Sequence, residues 1–153
     1  MPEGDGTRAV RSIKRHVLAA TISITVLLNA CKKDDGPTTS AAAVEPKLSS
    51  IQANIIDVSC ATPSCHGTGA GGLVLTTGNS FSQLINVPSQ NDGAHTPPFL
   101  RVKPRSPDSS FLIIKLTNPG TNQGVMMPRI CTRLTDDNIN AIRTWITNGA
   151  PNN

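Results

Sequence analysis

Tyrosine is absent from this 153-residue chain, and its aromatic complement is three Phe and one Trp. So few flat side chains disfavour a surface on which bases stack. Histidine is scarce, with three residues, and no nucleophile-elbow pattern accompanies the many serines. The glycines at 67, 69, 71 and 72 lack the lysine and spacing of a phosphate-cradling loop. The paired carboxylates Asp136 and Asp137 open a helix, where capping explains them. Charge of one sign is also lacking. Of 14 basic and 10 acidic side chains, Arg8, Arg11, Lys14 and Arg15, with Glu3 and Asp5, precede residue 17. The remainder carries 10 basic against 8 acidic groups, with no cluster suited to nucleic acid. Nothing points to a small-molecule substrate.

The chain does have a leader. Its basic start precedes an apolar run from Val17 to Leu28, too short to span a bilayer comfortably as a permanent helix. The run ends at Leu28-Asn29-Ala30-Cys31, which resembles a bacterial lipobox. Residues 1–30 are therefore expected to be a lipoprotein signal peptide, with Cys31 lipidated as the mature N-terminus. Cys31-Lys32-Lys33-Asp34-Asp35 resembles the start of surface-displayed lipoproteins, and residues 31–47 read as a flexible tether. The expected location is the bacterial envelope, lipid-anchored on the periplasmic side or at the cell surface. Export also puts the remaining cysteines in an oxidising compartment.

The most informative stretch is Cys60-Ala61-Thr62-Pro63-Ser64-Cys65-His66. Two thiols followed at once by an imidazole suit covalent haem attachment. The cysteines add to the vinyl groups and the histidine ligates the iron. The usual motif separates the cysteines by two residues; four stand here. His66 would be the proximal ligand. The distal donor would be a methionine thioether, with Met127, between a glycine-bearing loop and Pro128, as the candidate. Met126 is its rival, and His95 is a further candidate in a loop.

The rest of the chain predicts a mainly α domain over residues 48–151. Leu48, Ile51, Ile55 and Val58 predict a helix leading into Cys60. Leu73 and Leu75 alternate as a short extended segment, and Ser80 with Gln83 suggests a capping box before a helix near Phe81. Residues 88–104 read as loop. Ser106-Pro107-Asp108 suggests a helix start whose buried face is Phe111, Leu112 and Leu116. Residues 118–125 form another loop. Thr135 is expected to cap a last helix, with Leu134 stapled onto Ile139 and an apolar face of Ile139, Ile142, Trp145 and Ile146. Three to four short helices joined by such long loops need an organiser beyond backbone pairing, and a central prosthetic group would supply one.

Several pieces together resemble the small c-type cytochrome domains of the planctomycete-type group. They are Cys65-His66-Gly67, Gly71-Gly72-Leu73-Val74-Leu75, Arg101-Val102 with Pro104, and Pro107-Asp108-Ser109-Ser110. Met127-Pro128, Leu134-Thr135 and Ile142-Arg143-Thr144-Trp145-Ile146 follow, running to Gly149-Ala150. The resemblance implies a small cytochrome c-like domain carrying one haem c, with His66 and a methionine as axial ligands. It also implies first and last helices packed together near Trp145. The expected function is single-electron transfer with redox proteins of the cell envelope rather than catalysis. A peroxidase-like enzyme would instead need an open sixth position.

Cys131 leaves alternatives. Beyond Cys31 the chain has three thiols, an odd number. Cys131 could bridge to Cys60 or Cys65, or Cys60 could bridge to Cys65, in a haem-free, disulfide-stapled module serving structure or interaction. Cys60, Cys65, His66 and Cys131 are also an allowed zinc ligand set.

Overall fold

The helix expected ahead of Cys60 forms, and it changes character on the way. The structure is a computed structural model that describes residues 43–94 and 99–153. The expected leader, Cys31, the expected tether as far as residue 42 and His95 lie outside the described residues. Helix α1 covers Leu48–Ile51 and continues without a break as a π-helix over Gln52–Cys60. The i→i+5 spacing widens each turn, which moves the buried face. Leu48, Ile51, Ile55 and Ile56 point into the core, whereas Val58 is 48% exposed. The α-helical spacing that would have buried Val58 therefore fails at the helix end.

Three further helices follow: α2 (Ser80–Leu84), α3 (Phe111–Thr117) and α4 (Asp136–Thr147). Short 3-10 turns occupy Ala70–Gly72, Asp92–Ala94 and Pro107–Ser109. The domain is mainly helical, with no sheet among the described residues. Isolated bridges pair Ile85 with Val102, Pro88 with Leu100 and Leu100 with Ser110. They pin the loop after α2 against the start of α3.

Two expected helix starts differ from the structure. Ser80 is the first residue of α2 rather than its cap, and its hydroxyl donates to the Leu75 carbonyl (2.9 Å). The turn at Pro107 does not run into α3. Ser110 is extended (φ −93°, ψ 120°) and separates them. Its fully buried hydroxyl donates to the Ser106 carbonyl at 2.9 Å and accepts from the Lys103 amide at the same distance. The helix that begins afterwards buries Phe111, Ile113 and Leu116 and leaves Leu112 half-buried.

The last helix forms as expected. The Thr135 hydroxyl accepts from the Asn138 amide at 3.2 Å, and Leu134 and Ile139 are both buried. At the other end, Gly149 adopts φ +96°. Its amide bonds the Ile146 carbonyl while the Ala150 amide reaches that of Trp145, both at 2.9 Å. This pair of bonds is a Schellman stop. The resulting core joins Ile51, Ile55, Leu84, Ile113, Ile142, Trp145 and Ile146. Helices α1 and α4 touch. The C-terminus ties down this junction: Trp145 Nε1 donates to the Pro151 carbonyl, and the Leu48 and Ser49 amides bond Asn153.

Candidate functional site

Beside this core lies a cavity of about 380 Å³, within the roughly 300–1,000 Å³ range of small-molecule and cofactor pockets. Leu73, Leu75, Leu84, Phe111, Leu112 and Leu116 form much of its wall. Cys60, His66 and Met127 also open onto it. Residues separated by some sixty positions in sequence thus share one apolar chamber.

The turn from Cys60 to Gly67 absorbs the two extra residues by folding on itself. The His66 amide bonds the Cys60 carbonyl (3.0 Å), and the Cys65 and Gly67 amides both reach the Thr62 carbonyl (2.9 and 3.1 Å). Pro63 and Ser64 are left exposed at the tip. The turn is so tight that a Cβ on Gly67 would overlap the Ala61 carbonyl oxygen and lie 2.8 Å from that of Thr62. The Thr62 hydroxyl, buried inside the turn, has no hydrogen-bond partner.

The His66 imidazole is half-buried, and its Nδ1 lies 2.9 Å from the Ala70 carbonyl. A carbonyl only accepts, so Nδ1 carries the proton and donates it. In the neutral ring Nε2 then keeps the lone pair that a metal requires. Cys60 and Cys65 are both free thiols. Burial, with the nearby Cys65 adding to it, pushes the Cys60 thiol up to about 12. It stays protonated at neutral pH. Cys65 is half-buried but is not on the cavity wall, so the expected cysteine pair is only half assembled around it.

Met127 is half-buried, lines the cavity and packs against the core. Met126 is 38% exposed and lies off the wall. The side chain of Lys115 holds the loop that presents Met127. Its ammonium donates to the carbonyls of Gln123 (2.8 Å) and Val125, and its own carbonyl accepts from the Met127 amide (2.8 Å). Partial burial lowers the Lys115 pKa.

The expected alternatives for Cys131 do not form. With Cys60 and Cys65 free, neither a Cys60–Cys65 bridge nor a bridge from either to Cys131 is present; Cys131 is disulfide-bonded, but to neither of them. Nor do three or more His, Cys, Asp or Glu side chains gather as a metal cluster among the described residues. The distance from the Cys60–His66 turn to Cys131 in sequence gave zinc coordination no local support.

Sequence reasoning missed three polar features of the wall: Arg101, Lys115 and the 89–92 segment. Arg101 had a visible signal, because it is a cation beside two residues suited to burial, Leu100 and Val102. The 89–92 segment carried no such signal.

No known protein family, curated protein or solved structure matches this chain.

Proposed function

We propose that this chain is an exported, lipid-anchored, mono-haem c-type cytochrome domain that carries single electrons between redox partners at the cell envelope. The observation that carries the proposal is the convergence of Cys60, His66 and Met127 on one largely apolar cavity.

Cys60, His66 and Met127 on the wall fit the group, and Cys65, off the wall, would have to turn toward it. An imidazole Nε2 free to ligate and a thioether suit the two axial positions of a haem iron, and leucine and phenylalanine walls suit its porphyrin. In this proposal Cys60 and Cys65 would hold the haem covalently, and His66 and Met127 would supply its iron ligands. The bound haem supplies a one-electron iron couple. The chain's own residues would position the ligand atoms: Ala70 orients the imidazole, Lys115 holds the methionine loop, and the leucines supply an apolar wall. A filled sixth position separates an electron carrier from a peroxidase-like enzyme. Cys31 would carry the lipid as a thioether.

The test is expression of the chain with haem-maturation machinery, followed by a pyridine haemochrome spectrum of the denatured product. A c-type spectrum with one haem per chain is expected. Absence of any Soret band in the purified, folded chain would rule the proposal out.

A further inference from the structure

Arg101 is 7% exposed and lines the cavity. Its backbone is fixed on both sides, by bonds to the Val87 carbonyl (2.7 Å) and from the Leu112 amide (2.9 Å). Its guanidinium donates through Nη1 to the backbone and side-chain oxygens of Gln83 (2.9 and 3.3 Å) and through Nη2 to the Gly72 carbonyl (2.9 Å). These acceptors are all neutral. They clip α2 to the loop after His66 but leave the positive charge uncompensated. Among the described residues no carboxylate pairs with Arg101. Asp92, the acidic residue on the wall, is exposed and forms no ion pair with it. The other cation there, Lys115, is turned toward its loop carbonyls.

A buried charge requires a counter-charge, because the low-dielectric interior cannot replace its hydration. Guanidinium has five N–H donors, and three are used. The Nε–H and one Nη2–H remain, a number that suits the two oxygens of one carboxylate. The ligand implied has an apolar body and an anionic edge.

We infer that Arg101 forms a carboxylate subsite of the cavity and receives an ionised propionate of the bound haem. The inference rests on the proposed haem function and deepens it: the polar wall sets the orientation of the macrocycle by holding its acidic edge. Arg101 is a binding residue for the cofactor, and its charge keeps that propionate ionised across the neutral range. An opposite charge in contact lowers a carboxyl pKa by about one to three units.

The test uses the haem-loaded chain and its Arg101→Gln and Arg101→Lys variants, with haem content measured first by pyridine haemochrome. Reduction potential is then followed from pH 5 to 8. The other titratable groups facing the cavity are His66, Lys115, Asp92 and Cys60, and all are common to the three proteins. The wild-type potential is expected to be level. In Arg101→Gln the propionate loses its partner and titrates within this range. Its potential falls as pH rises, because the newly ionised carboxylate favours ferric iron. Arg101→Lys restores most of the level profile. A haem-loaded Arg101→Gln chain with the wild-type profile overturns the inference and leaves the haem function standing; wild-type chain without haem overturns the function itself. Should Arg101→Gln fail to fold, carbon-13 NMR of labelled haem in the wild type decides. One propionate titrating below the ordinary carboxylate range supports the subsite, and both titrating within or above it contradict it.

Discussion

Replacing Gly67 by alanine is expected to destabilise the folded domain by about 1–2 kcal/mol. Glycine-to-alanine changes at compatible positions usually stabilise by about 0.4–1 kcal/mol, because the unfolded chain has fewer states to lose. Gly67 has no left-handed backbone to protect, so that gain applies here too. Against it stands the space. The new Cβ would overlap the Ala61 carbonyl oxygen and sit 2.8 Å from that of Thr62. Both oxygens are backbone atoms of the turn between the cysteines, and the Thr62 oxygen already accepts two amides. Relief requires the turn to open, and overpacking of this kind costs about 1–3 kcal/mol. The steric term therefore wins. Gly120→Ala is the control, since its Cβ would meet nothing closer than the Gln123 side chain at 3.5 Å and should leave stability unchanged or slightly raised. Urea or thermal unfolding of the mature chain measures both. For a domain of this size the midpoint should fall roughly 4–8 °C for each kcal/mol lost. Gly67→Ala unfolding at or above the wild-type midpoint would refute the reasoning.

Other perturbations separate the parts of the site. In the folded, haem-free chain at pH 8, Cys60 should show on the order of 10³-fold less thiolate than an ordinary cysteine, so brisk alkylation of Cys60 in the native state would contradict its burial. The same proton makes haem-free stability fall as pH rises from about 9 toward 12, because the unfolded chain releases it first and the folded chain last; Cys60→Ala should lack that loss. Met127→Ala in the haem-loaded chain should abolish the far-red sulfur-to-iron band, whereas Met126→Ala should keep it. Lys115→Met removes two charge-assisted bonds from the methionine loop, worth about 1.5–3 kcal/mol each at most, and should weaken that band without loss of haem. Trp145→Ala should cost about 3–5 kcal/mol in chemical denaturation, since Trp145 is 1% exposed in the core.

How much of this was legible beforehand depended on whether the signal was local. Helix α4 carried its cap, staple, apolar face and glycine stop within sixteen consecutive residues, and all of them form. Met127 was singled out, as an iron ligand, from its glycine-bearing loop and proline, and the structure places it on the cavity wall. Val58 misled because helical spacing assumes an α-helix, and the π-helix rotates the end of the segment away from the core. Ser80 misled because its hydroxyl donates to the Leu75 carbonyl instead of capping, and Ser106 because the buried Ser110 hydroxyl takes its carbonyl and Ser110 is extended between the Pro107 turn and α3. Arg101 stood out as a cation between Leu100 and Val102, but its partners were not legible, because they come from helix α2 (Gln83) and the loop after His66 (Gly72). The Cys60–His66 turn was ambiguous for a similar reason: spacing alone does not say that Gly67 can tuck beneath the Thr62 carbonyl.

The most direct measurement is the intact mass of the purified mature chain after full denaturation and reduction, with peptide mapping of residues 60–66. A gain of one haem that survives both treatments, located on Cys60 and Cys65, is the expected result. A chain with unmodified thiols at both positions would contradict covalent haem attachment, and with it the function proposed for the cavity.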